Sequence, residues 1–134
     1  MKIKVLIIPD TNGKSNLNNR VYTKECLKNI TDKVNELSKE DRCLVFKYYK
    51  EINDLSDVVG KLNRAELNEN GVVAEFETLN TTAYESVKQL IMNDEVVFRP
   101  RGMGEANLKT KEIENYELQS INMILKEDDA FEQI

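Results

Sequence analysis

An Asn70-Gly71 pair stands between two runs built for strands, and no other feature of the chain limits its fold as tightly. Asp57 to Leu67, followed by Asn68, Glu69, Asn70 and Gly71, reads as a strand entering a hairpin, and Val72 to Leu79 as its return. Asn and Gly tolerate the positive φ that tight hairpin turns require, so the pair predicts an antiparallel ribbon.

Further elements follow from periodicity. Lys2 to Ile8 mixes β-branched residues with alternating Lys and apolar positions, which suits a half-buried strand. Pro9, Asp10, Asn12 and Gly13 end it, and Thr11 to Asn19 reads as a surface loop. Leu27, Ile30, Val34 and Leu37 recur at helical spacing behind Thr23, a capping residue, and Glu25, so a helix is expected over Lys24 to Leu37. Cys43 to Tyr49 is rich in strand formers. Thr82 is the expected cap of a second helix running to about Asn93, with Ala83, Val87, Leu90 and Ile91 on one face. Glu95 to Arg99 and Tyr116 to Leu125 read as strands, and 127–134 as a frayed acidic tail.

The order is strand, helix, strands with a hairpin, helix, strands, without regular βαβ alternation. This predicts one α+β domain over 1–134, a small, mostly antiparallel, partly closed β-barrel flanked by two helices. Val5, Ile7, Leu27, Ile30, Phe76, Val87, Leu90, Ile121 and Met123 are expected in its core.

Composition removes several chemistries. The chain has no histidine, so Ser-His and Cys-His activation are excluded. Its two cysteines, Cys26 and Cys43, lack CxxC spacing and cannot by themselves close a zinc site, so no metal or cofactor is expected. Cys26 borders the first helical stripe and reads as a small core residue. A net charge of −5 opposes direct nucleic-acid binding, and no apolar run approaches a membrane span. With no signal-like stretch at Met1 to Asp10, a reduced cytoplasmic setting is expected. Ser120 with Lys61 or Lys109 is a conceivable nucleophile and base that nothing in the sequence brings together, and Glu75 with Glu77 reads as a solvated strand face.

Four segments, taken in order, resemble the prohead protease of tailed phages. Asn18-Asn19-Arg20-Val21-Tyr22-Thr23-Lys24 resembles that family's N-G-R-x-Y-P-K, and Leu55 to Gly71 its central hairpin. Ala74 to Leu90 is similar to its strand, L-x-T-P-x-G turn and helix, with Thr82 for Pro and Tyr84 for Gly. Val97 to Gly104 (VFRPRGMG) resembles the nucleophile segment V-S-S-R-G-M-G, and Glu117 to Phe131 the closing strand with its D-A-F end. The resemblance implies the small helix-flanked barrel shared with herpesvirus assemblins.

It also implies where chemistry is missing. Arg99 and Pro100 stand at the two serine positions, and Leu44 to Glu51, where the family's G-E-x-x-H-P histidine belongs, holds only aliphatic, aromatic and charged residues. The expectation is therefore a non-enzymatic phage or prophage protein that binds a protein partner, a capsid or scaffold protein, in procapsid core or capsid assembly. Its place would be the host cytoplasm, the procapsid or the virion. The alternative is a phage-encoded inhibitor of a host defence complex, anti-CRISPR-like or other, on the same fold. Phe98, Arg99, Arg101, Tyr48 and Tyr49 are the expected protein-binding residues, with Arg99 at the surface.

Overall fold

The structure, a computed structural model, describes residues 1–48 and 53–131; Tyr49 lies outside them. Its strands are β1 (Lys2–Pro9), β2 (Leu44–Lys47), β3 (Val58–Asn68), β4 (Gly71–Thr78), β5 (Val96–Ala106) and β6 (Ile113–Leu125). Helix α1 (Lys24–Ser38) lies between β1 and β2 in the chain, and α2 (Thr82–Met92) between β4 and β5. Among the described residues, the strands form one mixed sheet of six in the order β1-β4-β3-β2-β6-β5. Every neighbour pair is antiparallel except β2 with β6, which is parallel.

The fold is α+β, a curled half-barrel with two helices, as the element order predicts. The curl can be read from one aromatic pair. β4 and β5 are separated in the sheet by β3, β2 and β6, yet the rings of Phe76 and Phe98 meet at 4.5 Å. Strands so far apart in a flat sheet could not touch, so the sheet bends round until its two edges, β1 and β5, approach each other.

The hairpin is present with a different turn. Asn68 pairs with Gly71, leaving Glu69 and Asn70 as the loop, and Gly71 alone of the Asn70-Gly71 pair takes positive φ, at 129°. The Asn68 side chain stabilises the loop by accepting from the Asn70 N–H at 2.8 Å. Gly71 is needed for a second reason: a Cβ there would strike the Ile8 carbonyl and Pro9 where β1 passes.

Both helices start on threonine caps. Thr23 Oγ1 accepts from the Cys26 N–H at 3.2 Å, as expected. For α2 the cap is Thr81 rather than Thr82: its backbone is extended, and its hydroxyl accepts from the Tyr84 N–H at 3.0 Å while donating to the Val58 carbonyl at 2.6 Å. That second bond ties the helix start to β3, a constraint the adjacent threonine cannot meet.

The core follows the periodicity with two exceptions. Ile7, Leu27, Ile30, Phe76, Val87, Ile121 and Met123 are buried, whereas Val5 and Leu90 are only partly so. Tyr84, not Leu90, completes the buried face of α2 with Ala83, Val87 and Ile91. Cys26 and Cys43 are free and buried. Burial, with Glu25 adding to it, pushes the Cys26 thiol up to about 11, and burial pushes that of Cys43 up to about 12, so both are inert core thiols at neutral pH.

Within 127–131 the acidic tail expected to fray is packed against the body, and the rest of that span lies outside the described residues. A short 3₁₀ turn, Lys126–Asp128, leads into Asp129 and Phe131, which are buried at 7% and 8% exposure, and the Ala130 carbonyl accepts from the Leu17 N–H at 2.8 Å. An acidic composition suggested a solvated end, but here one buried carboxylate meets a partly enclosed cation.

Candidate binding cleft

The segment Val97 to Gly104 lies wholly within β5, which runs past the expected strand end at Arg99 and is an edge strand paired with β6. Pro100 is tolerated there because an edge strand carries one side without a strand partner. Bulges between Arg101 and Gly102 and between Met103 and Glu105 absorb the irregularity. A Cβ on Gly102 would collide with the Tyr116 ring and the Glu117 carbonyl, so this glycine of the R-G-M-G motif serves strand approach.

Arg99 is the largest departure from the sequence reading. Its side chain is 14% exposed, not a surface group. Nε and Nη2 donate to the two Asp129 carboxylate oxygens at 3.0 and 2.9 Å, a bidentate fork that suits the planar guanidinium. Nη1 donates to the carbonyls of Leu6 at 2.7 Å and Phe98 at 3.0 Å, and the guanidinium lies 5.7 Å from the Phe131 ring centroid. One side chain thus joins β5, the opposite sheet edge β1 and the tail. Phe98, also expected in a contact surface, is 4% exposed and packed against Phe76 with the rings tilted, inside the barrel.

A second anchor enters from β6. Ser120 and Asn122, two residues apart and so on one face of the strand, are both buried. The Ser120 hydroxyl donates to Asn122 Oδ1 at 2.7 Å, and Asn122 Nδ2 donates to the Tyr48 carbonyl at 2.7 Å. Tyr48, at φ 58°, also donates its N–H to the Met123 carbonyl at 2.8 Å, which continues the parallel ladder past the end of β2. Sequence reasoning missed Asn122; the available signal was two polar side chains spaced by two within an apolar run.

These groups border a cleft of about 920 Å³, whose walls include Tyr22, Tyr48, Arg101, Met103, Gln119 and Asn122. Of the expected contact residues, the structure brings Tyr48 and Arg101 to this cleft together. Arg99 lines it as a locked ion pair. The two sequence regions to which the family resemblance assigns nucleophile and base, one in β5 and one at the end of β2, therefore meet here.

The conceivable catalytic pairs are otherwise engaged. Ser120 donates to an amide oxygen, which is no base, and the Lys61 ammonium binds Asp41 at 2.8 Å. Asn63 Nδ2 donates to Glu75 at 2.7 Å and to Glu77 at 3.0 Å. That hydrogen bond, helped by Lys61 and Lys2, holds the Glu77 carboxyl below its ordinary value.

No family model matches the sequence, and neither does any curated protein. Among solved structures, the capsid assembly protease gp21 of bacteriophage T4 superposes at a TM-score of 0.77 and 14% sequence identity, covering 92% of this chain and 81% of that one. The likeness is one of fold, which is prohead-protease-like.

Proposed function

We propose that this chain, which shares its fold with a phage capsid assembly protease, is a phage or prophage protein that binds an extended segment of a capsid or scaffold protein in its β5 cleft without cutting it. The observation that carries this reading is the state of Arg99 and Pro100 on β5. Pro100 offers no nucleophile, and Arg99 is a permanent cation held in a two-pronged contact with Asp129. Acyl transfer by a serine requires a partner base, and the 134 residues include no histidine. The cleft offers amides, Arg101 and tyrosines along an edge strand, a setting suited to main-chain hydrogen bonding by an added peptide strand. The fold likeness favours capsid assembly over a host-defence target, and with it a place in the host cytoplasm or procapsid.

Overlapping peptides from phage capsid and scaffold proteins provide the test. Calorimetry should find a binding peptide, mass spectrometry should recover it uncut, and Arg101→Glu should weaken it by about tenfold, equivalent to about 1.4 kcal/mol. Pro100→Ser should remain inactive for want of a base. Turnover by the unmodified chain, or its labelling by a serine-reactive phosphonate, would overturn the proposal.

A further inference from the structure

Asn-Gly pairs occur at Asn12-Gly13 and at Asn70-Gly71, and the fold treats them in opposite ways. Asn70-Gly71, in the β3–β4 hairpin, is held in place. The Asn70 carbonyl accepts from the Asp10 N–H at 3.0 Å, and the Asn70 N–H donates to Asn68 Oδ1 at 2.8 Å. Gly71 is buried, in register with Asn68 at the start of β4.

Asn12-Gly13 lies in the turn that follows β1. Both residues are exposed, at φ 53° and 87°, and a Cβ added to Gly13 would meet nothing within 4 Å. The turn is closed by groups on either side of the peptide that joins them. Lys14 N–H donates to the Thr11 carbonyl at 3.1 Å, the Thr11 hydroxyl to the Lys14 carbonyl at 2.6 Å, and Asn12 N–H to Asp10 Oδ1 at 2.9 Å. Among the described residues, the Asn12 carbonyl and the Gly13 N–H, the two polar groups of that peptide, make no hydrogen bond. An exposed peptide unit with no bond to break reorients at little cost, and glycine puts no side chain in the way of its own nitrogen.

We infer that Asn12 is a site of spontaneous covalent modification, its side-chain amide being displaced by the Gly13 nitrogen, while the fold preserves the amide of Asn70. The Gly13 nitrogen gives its proton to hydroxide or buffer base and attacks Asn12 Cγ. The new N–C bond closes a succinimide ring, the Cγ–Nδ2 bond breaks, and ammonia leaves with a proton taken from solvent. Water, the co-reactant, then opens the ring at either carbonyl. Opening at Cγ gives aspartate, whereas opening at the main-chain carbonyl carbon gives isoaspartate, with the chain running on through the side chain. Either product sets a new carboxylate beside that of Asp10, which is 7% exposed and lies 3.5 Å from the Lys24 ammonium. The isoaspartyl form also lengthens, by one backbone carbon, a loop that continues to Asn16 and Asn18 in the cleft wall. This inference is independent of the proposed cleft function.

The test is to age the full chain in mildly alkaline buffer at body temperature, folded and in urea, and to map the products by mass spectrometry with electron-transfer fragmentation. In the folded chain the expected result is conversion of amide to acid at Asn12 with Asn70 intact, and isoaspartate detectable by enzymatic carboxyl methylation. In urea both pairs should convert at similar rates. Gly13→Ala, whose added methyl hinders the attacking nitrogen, should slow the folded-state reaction at least about tenfold, and Asn12→Gln should abolish it, with circular dichroism unchanged in both. Three results would each overturn the inference: Asn12 intact in the folded chain over the time in which it converts in urea, Asn70 converting as fast as Asn12 in the folded chain, or aspartate at position 12 without isoaspartate. The last would mean direct hydrolysis by water rather than ring closure by Gly13.

Discussion

Arg99 and Asp129 form a partly enclosed ion pair in which removing one partner strands the other. Breaking such a pair typically costs about 3 to 5 kcal/mol, so Arg99→Ala should lower the urea midpoint far more than Arg101→Ala, although both residues belong to one motif. The Arg99 side chain also holds the Leu6 carbonyl, which adds to the loss. None of this was legible in the sequence: Asp129 stands among Glu127, Asp128 and Glu132, and composition cannot say which carboxylate of an acidic run will meet a cation thirty residues earlier. Tyr48 and Arg101, singled out because arginine and tyrosine suit contact surfaces, both line the cleft, a placement that periodicity alone did not indicate. Glu77 offers a pH test with a definite sign. Its folded value lies below the ordinary 4.5, so its contribution to stability is present above that pH and is lost as pH falls through the folded value. Side-chain carboxyl NMR should show a Glu77 midpoint below 4.5 that rises in Asn63→Ala, since the Asn63 hydrogen bond is the largest cause of the shift.

At the level of elements, local chemistry was read well where it was purely local. Apolar spacing located α1 and α2 within a residue or so, because a helix needs only its own stripe to be recognised. It failed where a tertiary bond decides between neighbours. Thr81 and Thr82 are chemically identical as caps, and only the reach to the Val58 carbonyl selects the first. Thr81→Ala should therefore cost about 1 kcal/mol or more in thermal or urea unfolding, with Thr82→Ala near neutral. Equal effects of the two substitutions would refute the assignment. β5 was read as ending near Arg99 because Pro100, Gly102 and Gly104 are strand breakers in isolation. The edge position and two bulges make them acceptable, and both are properties of the sheet rather than of the segment.

For the whole molecule, the α+β class followed from element order, while the parallel pairing of β2 with β6 did not, since those strands are joined through most of the chain. Nor could the sequence show that the curl brings β1 against β5. That seam has a consequence for how the chain reaches its native state. The bond from Arg99 to the Leu6 carbonyl spans 93 positions, so β1, synthesised before β5, keeps one edge uncovered until that length of chain has followed it. Closure over so long a loop is slow, and refolding in the millisecond-to-second range is expected by stopped-flow fluorescence of the tyrosines. If the seam closes after the rate-limiting step, Arg99→Met should accelerate unfolding and leave the refolding limb nearly unchanged. Arg99 would then act as a fastener applied last, setting how long a finished molecule stays shut rather than how quickly it is made.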